Sequence, residues 1–125
     1  MDISTQTHDF TEYLAVYMLV YSDKLKTDLT LKGDTHIIGF YTSDGKLKYE
    51  EHISVEEQSQ SYRVHVKTIE ITDTEPNVIK TTLTEHSIPV KELSVDKQTI
   101  SVITALLQAN SDKIQNALSN KEVHW

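Results

Sequence analysis

The stretch FYTSDGKLK, residues 40 to 48, sets Asp44-Gly45 between two extended, partly apolar runs. That dipeptide supplies the positive φ a tight hairpin needs, so the chain is committed to an antiparallel pair early in its length. Registering the pair about a type I′ turn at Asp44-Gly45 puts Phe40 opposite Tyr49, Thr42 opposite Leu47 and Ile38 opposite Glu51. One face of the hairpin is then mostly apolar.

An echo lies upstream, where VYSDKLK at residues 20 to 26 resembles the hairpin segment. Folding residues 13 to 32 about Ser22-Asp23 sets Val20, Met18, Val16 and Leu14 against Leu25, Thr27, Leu29 and Leu31, with Val16 and Leu29 as direct cross-strand neighbours. The opposite face collects Tyr13, Tyr17, Leu19 and Tyr21 with Lys24, Lys26 and Lys32. A helix is the competing reading, because Asp9 followed by Glu12 makes a start signal and Tyr13, Tyr17 and Tyr21 recur every four residues. The match of the paired faces favours strands. The same apolar run does not read as a secretory segment: Asp2, Asp9 and Glu12 precede it without Lys or Arg, and charge follows it. It is also half of the roughly 18 apolar residues that a membrane span requires. A cytoplasmic location is the expectation.

Farther along, SYRVHVKTIEIT, residues 61 to 72, carries Tyr62, Val64 and Val66 on one parity and Ile69 and Ile71 on the other. A bulge near Lys67 and Thr68 would reconcile the halves. The stretch DTEPN reads as a turn and VIKTTLTEH, residues 78 to 86, as a strand with one solvated face. HISVEEQSQS, residues 52 to 61, is polar and acidic and reads as a mobile loop. Beyond Ile88-Pro89 the period changes: Ile100, Ile103, Leu107, Ile114 and Leu118 share a helical face, Ser94 or Asp96 can cap its start, and Asn110-Ser111-Asp112 can divide it. One domain over residues 1–125 is expected, with frayed ends at about 1–9 and 121–125, since no linker divides the 125 residues.

Chemistry is sparse. Without cysteine there is no disulfide framework and no thiolate nucleophile or zinc ligand. Six histidines make neither an H-x-H nor an H-E-x-x-H pair, so no metal or other cofactor is expected. Alternation along a strand sends Glu51 to the face opposite Glu50 and His52, which dismantles the apparent acid-base cluster. No G-x-S-x-G elbow or phosphate-cradling glycine loop occurs. Twelve basic against nineteen acidic residues, net −7, oppose adherence to nucleic acid or to an anionic membrane. Residues 34 to 60 carry six acids and two lysines, so the edge around Glu56 and Glu57 is a candidate dock for a basic partner.

These features define an α+β chain: an antiparallel β-meander of five to seven strands, as a sandwich or a strongly curved sheet, followed by one C-terminal amphipathic helix packed on it. The function expected is non-enzymatic protein binding or self-association, of accessory, inhibitor or immunity type. The candidate residues are Tyr13, Tyr17, Tyr21, Lys24 and Lys26 on one face and Glu56 and Glu57 on the acidic loop. Two alternatives stand beside it. The layout of a sheet followed by a C-terminal helix, with an acidic balance, resembles the export chaperone SecB, which would imply an export or assembly chaperone. A pocket between sheet and helix would instead suit a small-ligand carrier or enzyme.

Overall fold

A computed structural model describes residues 3–93 and 97–125, the side chains of residues 3–5 excepted. The element order is α1 (Ile3–Tyr21), β1 (Lys26–Lys32), β2 (Thr35–Tyr41), β3 (Leu47–Glu57), β4 (Tyr62–Thr74), β5 (Asn77–Val90) and α2 (Lys97–Leu118). All five strands form one antiparallel sheet in the order β1-β2-β3-β4-β5. The expected meander and C-terminal helix are therefore present, joined by an N-terminal helix that the strand reading of the opening stretch excluded. Ser94 and Asp96, the expected caps of α2, lie outside the described residues.

Residues 13 to 21 are helical, and Leu29 pairs with Ile38 of β2 instead of Val16. The reason lies in what each side of the helix carries. Phe10, Leu14 and Met18, with Thr11 and Ala15, form a buried stripe at spacings of three and four, as an α-helix demands. Tyr13, Val16 and Val20 occupy the opposite side and are also apolar, so the period of 3.6 is masked. A nineteen-residue run free of glycine and proline has nothing to stop it before Ser22, whose amide still bonds the Met18 carbonyl at 2.9 Å. The first hairpin turns at Gly33-Asp34, not at Ser22-Asp23. Lys32 faces Thr35 there, and Gly33 adopts φ 64° at the first loop position, where a type II′ turn needs it.

The second hairpin keeps its expected register at Phe40–Tyr49 and Ile38–Glu51, but Tyr41, not Thr42, faces Leu47. Its turn is of another type. The Gly45 amide bonds the Thr42 carbonyl at 2.9 Å and the Thr42 amide bonds the Lys46 carbonyl at 2.8 Å. This is a three-residue loop, a tight turn followed by a residue in the left-handed region, and Gly45 fills that position at φ 88°. The Thr42 hydroxyl donates to Asp44, which holds that carboxyl below its usual range, and accepts from the Lys46 amide.

In β4 the two parities need no bulge of their own. β3 and β4 pair without interruption from Tyr49–Glu70 to Glu57–Tyr62. Ile69 and Ile71 are buried on the sheet face away from the helices, beside Glu50, and lie outside the main core. The extra residue sits on β5, where Thr68 faces Thr84 and Ile69 faces Thr82, leaving Leu83 between them. The expected acidic loop is also shorter than its sequence suggested. His52 to Glu57 belong to β3, with Glu56 facing Arg63, and only Gln58–Ser61 turn the chain.

Both helices cover one face of the sheet. Leu14 and Met18 of α1 and Ile103, Leu107 and Ile114 of α2 meet Ile38, Phe40, Ile53, Val64 and Val66 in a single core. α2 runs unbroken through Asn110 and Ser111, which turn inward and are buried; Ser111 bonds Ser22 at 2.6 Å, tying the end of α1 to the middle of α2. It stops in a Schellman motif: Asn120 takes φ 61°, its amide bonds Ala117 at 3.0 Å, and the Lys121 amide bonds Asn116 at 2.9 Å. Beyond it the Trp125 ring lies 5.7 Å from that of Tyr49.

A methyl group built at Gly45 meets nothing within 4 Å, so the cost of Gly45→Ala is purely the left-handed backbone. Destabilisation by roughly 1 kcal/mol is expected in urea denaturation, with Asp44→Asn nearly neutral. An unchanged midpoint in Gly45→Ala would contradict this turn.

Candidate functional site

Two surfaces and one buried group stand out. The first surface is the outer side of α1. Tyr13, Val16, Val20 and Tyr21 are 51%, 44%, 69% and 41% exposed, an apolar row along a helix about 28 Å long. The tyrosines expected on a sheet face thus stand on this helix. Tyr13 is open; Tyr17 is half-buried against α2, where the Gln108 amide donates to its hydroxyl; Tyr21 donates to Asp112 of α2 at 3.0 Å, which raises its pKa. Lys24 is exposed in the turn after α1, whereas Lys26 on β1 donates to the Ser43 carbonyl at 3.0 Å. Lys26 thus stands on the sheet, at the second hairpin turn, and not on the helix that carries the tyrosines.

The second surface lies where the N-terminal half of α1 passes over the ends of β2 and β3. A cavity of about 470 Å³ there is lined by Thr7, His8 and Thr11 of α1, by Gly33 and Asp34 of the first hairpin turn, and by Ser54, Val55, Glu56 and Glu57 of β3. Glu56 and Glu57 are brought to a cavity rim beside the N-terminal half of α1, whereas Lys24 follows its C-terminal end. Glu56 also meets His65 of β4 at 2.8 Å. Beside the cavity, His8 Nε2 lies 3.3 Å from Glu12 Oε2 one helical turn on. The His8 and His36 rings are 5.1 Å apart between centroids. One donor atom from each of His8, Glu12 and His36 falls within 4.8 Å of the others. His36 is 3% exposed, its Nδ1 has no hydrogen-bond partner, and burial lowers its pKa, with His8 acting in the same direction. No H-x-H or H-E-x-x-H spacing announces this group, because its third member arrives from a strand 24 residues beyond Glu12.

The buried group is Glu51. Alternation does separate it from its neighbours: Glu50 meets His52 at 3.0 Å and Lys80 at 3.3 Å on the sheet face away from the helices, while Glu51 points into the core at 0% exposure. There Thr68 donates to Oε1 at 2.8 Å and Asn110 of α2 donates to the same oxygen at 3.5 Å, and Oε2 has no partner. Desolvation raises the carboxyl pKa to about 8 against the two hydrogen bonds, which pull it down. At neutral pH Glu51 is a protonated acid enclosed by packing. It lies in the sheet–α2 contact, outside the lining of the cavity beneath α1.

No helix among the described residues is long and apolar enough to cross a membrane. Comparison of the chain with protein-family models, with curated proteins and with solved structures finds no match in any of the three.

The sign of the Glu51 effect on stability follows from its raised pKa. The folded state holds a proton that the unfolded chain releases near the ordinary carboxylate range, so the stabilisation is full below about pH 4.5 and is lost as pH rises toward 8. Urea denaturation between pH 5 and 9 is expected to reveal a loss of a few kcal/mol from this group. In Glu51→Gln, which keeps an acceptor for Thr68, that slope should flatten. Parallel pH profiles in the two proteins would contradict a buried protonated Glu51.

Proposed function

We propose that this chain is a non-enzymatic assembly module that pairs with a second copy of itself through the outer face of α1. The observation that carries the reading is a helix that is apolar on both sides. Its inner stripe is satisfied by the core, and its outer row leaves Tyr13, Val16 and Val20 in water. A helix hydrophobic all round is ordinarily a buried helix. Contiguous exposed apolar surface of this kind marks an interaction site more often than scattered single residues do.

A second copy suits this row by its charge pattern. Asp9 and Glu12 flank the row at its N-terminal end, Asp23 and Lys24 follow its C-terminal end so that the one lysine of the segment lies there, and no charged residue interrupts it between Tyr13 and Tyr21. An antiparallel pairing about a two-fold axis between residues 16 and 17 sets Asp9 near Lys24 of the other copy, twice, and Tyr13 near Val20. Parallel pairing would set like charges together. Aromatic residues flanked by a polar rim are the usual anchors of such an interface.

Sedimentation at micromolar concentrations is expected to give a dimer. Val20→Glu should convert it to a monomer of unchanged urea stability, because Val20 is 69% exposed. Lys24→Glu should weaken association, and adding Asp9→Lys should restore it. A monomeric wild-type chain would refute the pairing; if that monomer captured many unfolded polypeptides through the same row, a chaperone role would replace it. Failure of the charge exchange to restore a dimer would refute the antiparallel arrangement.

A further inference from the structure

We infer that His8, Glu12 and His36 form a binding site for a divalent zinc-class ion. Two imidazoles and a carboxylate are a recurrent three-ligand set for zinc, and such a set leaves one coordination position open. A tetrahedral site with ordinary bond lengths has its donor atoms roughly 3.3 Å apart. The His8–Glu12 separation already has that value at 3.3 Å, and the widest separation in the group is 4.8 Å. Rotation of the two helical side chains, 43% and 53% exposed, can close the difference without moving backbone.

A surface His–Glu pair one helical turn apart is common without a metal. His36 sets this group apart. It is a buried polar side chain, supplied by a different element, with a ring nitrogen that satisfies no hydrogen bond. An unpaired buried polar atom carries a desolvation cost that a ligand bond would offset.

His8 also lines the 470 Å³ cavity, whose lining includes the acidic residues Asp34, Glu56 and Glu57. These acids raise the local concentration of a divalent cation and disfavour an anion. The open position is filled by water or by one donor atom of a small neutral or cationic ligand admitted to the cavity. The site shares Glu12 with the rim of the α1 row proposed for pairing but neither His8 nor His36, so His8→Ala and Val20→Glu let either proposal fail alone.

Calorimetric titration of the full chain with zinc chloride is expected to give one ion per chain. His8→Ala and Glu12→Gln, both at exposed positions, should each lower the affinity by at least about tenfold, the loss met when even an outer-shell partner is removed. His124→Ala, remote in sequence, should leave it unchanged. Zinc should also raise the thermal midpoint of the wild-type chain, and much less that of either ligand variant. Absence of zinc binding to the wild-type chain, or equal affinity in His8→Ala or Glu12→Gln, would overturn the site.

Discussion

The structure depends on burial of one sheet face beneath two helices. β3 carries Ile53 and Val55 inward, β2 carries Ile38 and Phe40, and β4 carries Val64 and Val66, so the face presents a broad apolar surface to be covered. A single helix cannot cover a five-stranded sheet, given a helix diameter of about 10 Å and strand spacing near 4.8 Å. α2 supplies Ile103, Leu107 and Ile114, and α1 supplies Phe10, Leu14 and Met18. The Ser22–Ser111 bond and the Gln108–Tyr17 bond then fix the two helices against each other. With α1 pinned in this way, His8 and Glu12 come to lie beside His36, and the outer row of the helix is turned to solvent.

Within that core the Glu51–Thr68–Asn110 group is the polar exception. A buried acid is tolerated because it stays protonated and because one oxygen receives two donors. Thr84, whose hydroxyl is also buried without a partner, faces Thr68 across β4 and β5. Groups of this kind make the sheet–α2 contact sensitive to pH, a sensitivity an all-apolar packing would lack. They also lock the register, since a one-residue slip of β3 would bring Glu50, now paired with His52 and Lys80, into the core instead.

Much of the sheet was legible, and for identifiable reasons. Asp44-Gly45 marked the central hairpin because positive φ is chemically restricted, and the alternation of Glu50, Glu51 and His52 gave their faces correctly. The C-terminal helix was legible because one side of it is polar. α1 was not, because Val16 and Val20 make its outer side as apolar as its inner one and erase the helical period. That same property makes the helix a candidate interface. The Leu83 bulge was seen only as a parity change in the neighbouring strand, with nothing in the sequence to say which strand held the extra residue. His36 carried no signal in the sequence because its burial comes from α1, an element the strand reading did not contain.

The claim on which the functional account rests is that the outer face of α1 meets its own copy across a two-fold axis. The chain has no cysteine, so a single introduced thiol reports unambiguously. Val16→Cys stands beside the proposed axis, where two antiparallel helices at an ordinary packing distance bring like positions within disulfide reach. Under mild oxidation it should form a covalent dimer rapidly, while Val102→Cys on α2, 56% exposed, should not. Equal, slow cross-linking at the two positions would contradict the account.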